Sequence, residues 1–294
     1  MMAALSIAIG LAALYLAICA VLLVVVQQVP RRPVTDRPDW GRVEDTVIRA
    51  VDGKRLEVWR IFPEGTSRGI VVLTHGWGRN RDRMVNRARL FGQWGFTTVL
   101  HSARDHGGSD RKWFMNALRF AEDIESVLDW IGEPVILYGH SAGSGGAIIA
   151  ASRNPDRVRL LFLEGVYAQT REALLSLYMW VNPVFGRLFG PAILWLMNGV
   201  YRGAMDRYSP ARLAPAVRMP VMVIHGEADS RFPIAFARQL AAAFPPEQVA
   251  IFIAPGAGHS ESSAAPGYAA AIRQFLDDRL LQLPSPMKRA SHGK

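Results

Sequence analysis

An α/β fold built on one mostly parallel, doubly wound sheet is predicted for this 294-residue chain from three observations. From residue 40 onward, short apolar runs rich in β-branched residues alternate with longer helical patterns, the signature of strands covered by helices on both faces. Half of the residues are hydrophobic and a fifth are charged, enough to bury one large core and too apolar for a disordered chain. A third feature, an apolar insert over 166–215, breaks the alternation once and leaves the strands on either side of it in the same pattern.

The first thirty residues are expected to be a separate unit. Met1 to Pro30 carries no charged side chain, and Ile7–Val26 is an unbroken run of 20 apolar residues. As a helix this run rises about 30 Å, the thickness of one bilayer core. A cleaved signal would want a basic leading region and a shorter apolar stretch, so an uncleaved transmembrane anchor is the expectation. Arg31, Arg32 and Arg37 follow the run, and the positive-inside bias then places the rest of the chain in the cytoplasm. Cys19, the single cysteine, lies inside this run, which excludes a disulfide framework and a cysteine-based zinc site.

After a juxtamembrane linker at 31–42, the elements come in order. Val43–Ala50 and Leu56–Phe62 flank Asp52-Gly53, a hairpin turn signal. Ile70–Thr74, Thr97–Leu100, Val135–Tyr138, Leu160–Leu163, Val221–Ile224 and Ala250–Ile253 read as buried strands. Helical patterns fall near Met84–Trp94, Met115–Ile131, Ser141–Ser152, Ile234–Phe244 and Tyr268–Leu283. One domain therefore spans 43–283, followed by a basic flexible tail at 284–294. The net charge is +9, and residues 31–120 hold 18 basic against 10 acidic side chains, so the excess lies next to the apolar run.

Gly139-His140-Ser141-Ala142-Gly143 fits G-x-S-x-G. The pentapeptide alone is weak, but it leaves a strand directly and opens a helix, the setting in which a sharp turn exposes a serine oxygen. A serine hydroxyl needs a base to take its proton, and the base needs an orienting carboxylate. Among seven histidines, His259 follows the last strand in a loop that precedes the final helix. Asp229 lies just past the strand Val221–Ile224, and Glu164, at the end of an earlier strand, is an alternative acid. The order Ser141, Asp229, His259 is that of nucleophile, acid and base in one large superfamily. No H-x-x-x-H spacing occurs, so neither a metal nor another cofactor is expected.

These residues resemble the α/β-hydrolase superfamily over about residues 43 to 283. His75-Gly76-Trp77-Gly78 is similar to its H-G-x-G oxyanion loop, which implies oxyanion donors at the backbone N–H groups of Trp77 and Ala142. Ser102-Ala103-Arg104-Asp105-His106-Gly107-Gly108-Ser109 resembles its D-x-R-G-x-G-x-S loop, with Ser102 where Asp is usual and Asp105 where Gly is usual. The resemblance implies the α/β-hydrolase fold with a helical cap.

The cap segment is dense in large apolar side chains, including Leu174, Tyr178, Trp180, Phe185, Trp195 and Met197. Most of them are expected to pack among themselves, and the remainder to face the pocket or the bilayer. Arg79, Arg81, Arg83, Arg87 and Arg89 read most simply as a solvated helix face; contact with anionic lipid heads or with an acidic substrate group are the alternatives. No nucleic-acid motif is present. The expected function is a membrane-anchored serine hydrolase of carboxylic esters with lipophilic acyl groups, acting on a small-molecule or lipid substrate. An aminopeptidase-like peptidase with Glu164 holding the substrate amine is the enzymatic alternative, and a non-catalytic acyl-binding protein the other.

Overall fold

The computed structural model describes residues 1–282, so the expected tail at 284–294 lies outside the described residues. A 25-residue helix, α1 (Met2–Val26), comes first. The hairpin β1 (Arg42–Arg49) and β2 (Arg55–Phe62) follows, then β3 (Ile70–Thr74), α2 (Val85–Gln93), β4 (Thr97–His101), α3 (Ala117–Ile131), β5 (Val135–His140), α4 (Ala142–Arg153) and β6 (Val158–Glu164). Five short helices form the cap: α5 (Thr170–Val181), α6 (Pro183–Leu188), α7 (Gly190–Val200), α8 (Ala204–Arg207) and α9 (Pro210–Leu213). The chain closes with β7 (Val221–Gly226), α10 (Ile234–Ala241), β8 (Val249–Ala254) and α11 (Tyr268–Gln282).

The eight strands form one sheet in the order β1-β2-β4-β3-β5-β6-β7-β8. Only the contacts of β2 with β1 and β4 are antiparallel. All pairings from β4 to β8 are parallel. Strand alternation sends Val72, Leu137, Leu161 and Val223 to one face, where α3, α4 and α10 cover them. Val71, Leu73, Tyr138, Phe162 and Ile224 face the other way, under α2 and α11. Both layers are dry, which explains why the strands read as continuous apolar runs.

One expectation changes. The arginines after β3 are not one solvated face: Arg81 and Arg87 are only 5% and 2% exposed. Arg81 pairs with Asp45 of β1 and Glu57 of β2, and Arg87 with Glu164 at the end of β6. The N-terminal helix α1 packs against the cap. Its Cys19 and Leu23 are buried with Ile193, Leu194 and Met197 of α7.

Candidate active site

The turn from β5 into α4 explains its own sequence. Ser141 has φ 55° and ψ −121°, a strained conformation for a residue with a side chain. A Cβ at Gly139 would stand 2.5 Å from the Gly143 carbonyl oxygen, and one at Gly143 would stand 2.5 Å from that of His75. Neither position has room for alanine, so both flanking glycines are steric necessities. The turn is tied to the next strand by the Ser141 N–H, which donates to the Glu164 carbonyl at 2.8 Å.

Three sequence-expected side chains meet at the C-terminal edge of the sheet. His259 Nε2 lies 2.9 Å from Ser141 Oγ, and its Nδ1 lies 2.7 Å from Asp229 Oδ2. Asp229 Oδ1 accepts from the backbone N–H groups of Arg231 and Phe232 at 2.9 and 3.0 Å. Burial pushes the Asp229 carboxyl upward, but His259 and the Phe232 N–H outweigh it and hold the group below its ordinary value. An ionised Asp229 keeps the Nδ1 proton of His259 in place and leaves Nε2 free to accept from Ser141. The loops carrying them are laced together, since Ala228 N–H donates to the Ala257 carbonyl at 2.9 Å. The Phe232 ring stands edge-on to the imidazole at 4.9 Å.

Trp77 and Ala142 line the same cavity as Ser141. Among the described residues, neither backbone N–H donates to a protein acceptor. The Trp77 loop is pinned from below: the Ala103 N–H donates to His75 Nε2 at 3.0 Å, which leaves Nδ1–H for the Gly76 carbonyl at 2.7 Å. Burial, with His106 alongside, pushes the His75 pKa well down, so this ring is a neutral strut.

Glu164 occupies a different place from the one the alternative required. It is fully buried under the turn, gripped by Arg87 Nε and Nη2 at 2.5 Å each and by the Tyr138 hydroxyl at 2.5 Å. Burial raises its pKa, but Arg87 outweighs that and brings it to about 2. It neither contacts His259 Nδ1 nor lines the cavity, so it is not the acid of this geometry and cannot hold a substrate amine. Arg87 instead links Glu164 to the carbonyl of Ser260, the residue after His259, at 3.3 Å.

The departures in the loop after β4 have local explanations. Asp105 adopts φ 64°, the left-handed region that suits glycine and that Asp tolerates better than most side chains. Ser102 Oγ donates to Glu57 Oε1 at 2.5 Å, so the carboxylate at this place comes from β2. Sequence reasoning missed Glu57, the Arg87–Glu164–Tyr138 cluster, and His225, whose Nε2–H donates to the Phe232 carbonyl at 2.8 Å. Glu57 comes from β2, Arg87 from α2, and Tyr138, Glu164 and His225 from β5, β6 and β7.

Above Ser141 lies a cavity of about 170 Å³, bounded by Met115, Tyr167 and Phe232 and by Leu174, Tyr178 and Met197 of the cap. Its walls are mostly apolar, which suits a hydrocarbon group rather than a charged one.

Comparison with known proteins agrees with this architecture. A family model described as serine aminopeptidase, S33 matches residues 65–198. The chain is 26% identical over 247 residues to a monoacylglycerol lipase of Mycolicibacterium smegmatis, covering 71% of this chain and 87% of that one. It is 22% identical over 208 residues to a bifunctional esterase/perhydrolase of Acinetobacter calcoaceticus, covering 56% and 75%. A Pyrococcus furiosus esterase structure superposes with TM-score 0.67 at 16% identity, covering 85% of this chain and 98% of that one. A Mycobacterium smegmatis proline iminopeptidase superposes with TM-score 0.63 at 19% identity, covering 81% and 99%. With this sheet order, this strand–turn–helix and these likenesses, the chain has the α/β-hydrolase fold and is similar to esterases and lipases that share it.

Proposed function

We propose that the protein is a serine hydrolase of carboxylic esters with lipophilic acyl groups, and that Ser141, His259 and Asp229 carry the reaction. The observation that supports it most is the chain of two short contacts, 2.9 and 2.7 Å, running from Ser141 through His259 to Asp229 at the floor of an apolar cavity. Ser141 Oγ attacks the acyl carbon while its proton passes to His259 Nε2, and the carbonyl oxygen becomes an oxyanion facing the Trp77 and Ala142 N–H groups. Collapse breaks the bond to the alcohol oxygen, which leaves with the proton from His259. Water then attacks the acyl-enzyme, giving its proton to His259, and the acid departs as Ser141 recovers the proton.

The lipophilic preference rests on the apolar cavity and on the relative named as a monoacylglycerol lipase. The peptidase alternative loses its amine-binding candidate, because Glu164 is sealed against Arg87. We further propose that α1 anchors the enzyme in a membrane with its catalytic domain on the cytoplasmic side. Its length and apolar composition support the anchor, and Arg31, Arg32 and Arg37 support the orientation.

A fluorophosphonate probe should label Ser141 in the native protein and fail to label Ser141→Ala. On a series of acyl esters, kcat/KM should rise with chain length by up to about fourfold per buried methylene. Labelling at another serine overturns the nucleophile, and faster turnover of amino-acid amides than of esters moves the protein to the peptidases.

A further inference from the structure

The N-terminal helix does more than sit beside the domain. Tyr15, Cys19, Leu22, Leu23 and Val26 recur at helical spacing and pack on the cap as one stripe. Tyr15 donates its hydroxyl to the Leu188 carbonyl at 2.7 Å and stacks on Phe189 at 6.0 Å. The opposite face is open, with Val21 64% exposed. The stripe therefore fixes the rotation of the helix, and with it what the last turn presents.

That last turn faces the cavity. Val26 and Gln27 line it together with Ser141, Trp77 and Met197. Gln27 Nε2 lies 3.6 Å from Met197 Sδ, and its Oε1 is buried with no hydrogen-bond partner among the described residues. Two residues on, Val29 packs against the cluster that holds Trp77 and Ala142.

The chain that follows is fastened to the catalytic body rather than draped over it. Arg31 donates to the Gly107 carbonyl at 3.1 and 2.8 Å and to the Ser109 carbonyl at 2.5 Å. Asn80 Nδ2 donates to the Arg32 and Pro33 carbonyls at 3.0 and 3.1 Å, and the Thr35 N–H donates to Asp82 Oδ2 at 2.9 Å. Clamped on the cap at one end and on Asn80, Asp82 and the loop after β4 at the other, Val26 and Gln27 cannot leave the cavity without breaking one of these sets of contacts.

We propose that Val26, at the end of α1, and Gln27 after it form a substrate-binding wall of the acyl pocket, and that Val26 limits the acyl chain length the enzyme accepts. This rests on the ester-hydrolase reading for the identity of the ligand, an acyl chain, but not for the existence of the wall. A pocket completed by the apolar helix differs from one enclosed by sheet and cap alone: changing the helix face must change selectivity without changing the chemistry at Ser141.

The test uses the full-length protein and a series of fluorophosphonates with alkyl chains of two to sixteen carbons, read as labelling rates at Ser141, beside the matching ester series. Val26→Trp should slow labelling and kcat/KM for the long chains by at least about tenfold, the share of two excluded methylenes, with the shortest chains within twofold of native. Val26→Ala should move the optimum to longer chains, which keeps the test decisive if the larger side chain prevents folding. Val21→Trp, on the open face, should match native throughout. Equal loss at every chain length, or profiles of Val26→Trp and Val21→Trp that coincide, overturns the wall. A native protein that labels with a Val26-dependent length profile yet turns over no ester keeps the wall and refutes the ester-hydrolase reading.

Discussion

The floor and the roof of the cavity are built on opposite principles. Below Ser141 the groups that shape the site are matched: Glu164 by Arg87 and Tyr138, Asp229 by His259 and two backbone N–H groups, His75 by Ala103 and Gly76. Above it, α5 to α7 and α1 meet through apolar side chains, and several large ones remain exposed, among them Trp180, Val184 and Trp195. A low-dielectric floor needs matched partners to hold a reactive geometry, because each unmatched buried group is costly. The roof has no such need and can follow the shape of a hydrocarbon. Chemistry is therefore decided by polar pairing under the turn, and selectivity by apolar packing over it. The two layers are stitched beside Asp229, where Ser176 donates to the Arg231 carbonyl at 2.7 Å and the Trp180 indole to Ser230 at 3.1 Å.

The largest expected effect breaks the floor at its centre. Asp229→Asn should lower kcat by about 10⁴ with the fold retained, because the imidazole loses the anion that sets its tautomer. Steady-state kinetics beside a circular-dichroism melt decide this, and a mild loss would place the acid elsewhere.

Next comes a substitution that damages the floor without touching the reacting atoms. Glu164→Gln leaves Arg87 buried without its anion and should cost about 3–5 kcal/mol of stability, read from the denaturation midpoint. The same pair gives a pH signature. The folded carboxyl titrates near 2 against an ordinary 4.5, so its stabilisation is complete above 4.5 and is lost as pH falls from 4.5 towards 2. Native protein should lose stability over that window, and the loss should be smaller in Glu164→Gln. An unchanged acid limb would show that the pair contributes little.

The smallest effect on stability belongs to the roof. Val184→Ser and Trp195→Ser change side chains that are 69% and 65% exposed, so stability and turnover of a soluble short-chain ester should stay within about 0.5 kcal/mol of native. Turnover of a long-chain ester presented in vesicles should fall several-fold if this face meets lipid. Equal loss on both substrates would make the roof structural, like the floor.

Local sequence specified most of the elements and pointed to the three side chains that meet at the sheet edge. Each strand is a local apolar run, and each helix of the sheet domain is a local periodicity. G-x-S-x-G fixes its own turn because two neighbouring glycines are required at contacts of 2.5 Å. His259 and Asp229 were readable because they lie one short loop beyond a strand, where topology alone directs side chains to one edge of the sheet. Tertiary structure decided what depends on pairing between distant positions. Glu164 and Arg87 lie 77 residues apart, and only the adjacency of β6 to the helix after β3 turns two candidate functional charges into a sealed pair. The same holds for α1. Its apolar run specifies a helix of sufficient length to span a bilayer, but which face meets the cap, and that Val26 lines the cavity shared with Ser141, follows from the packing of Cys19 and Leu23 against α7. Composition carries the tendency to bury a surface, and only the folded neighbour defines where that surface goes.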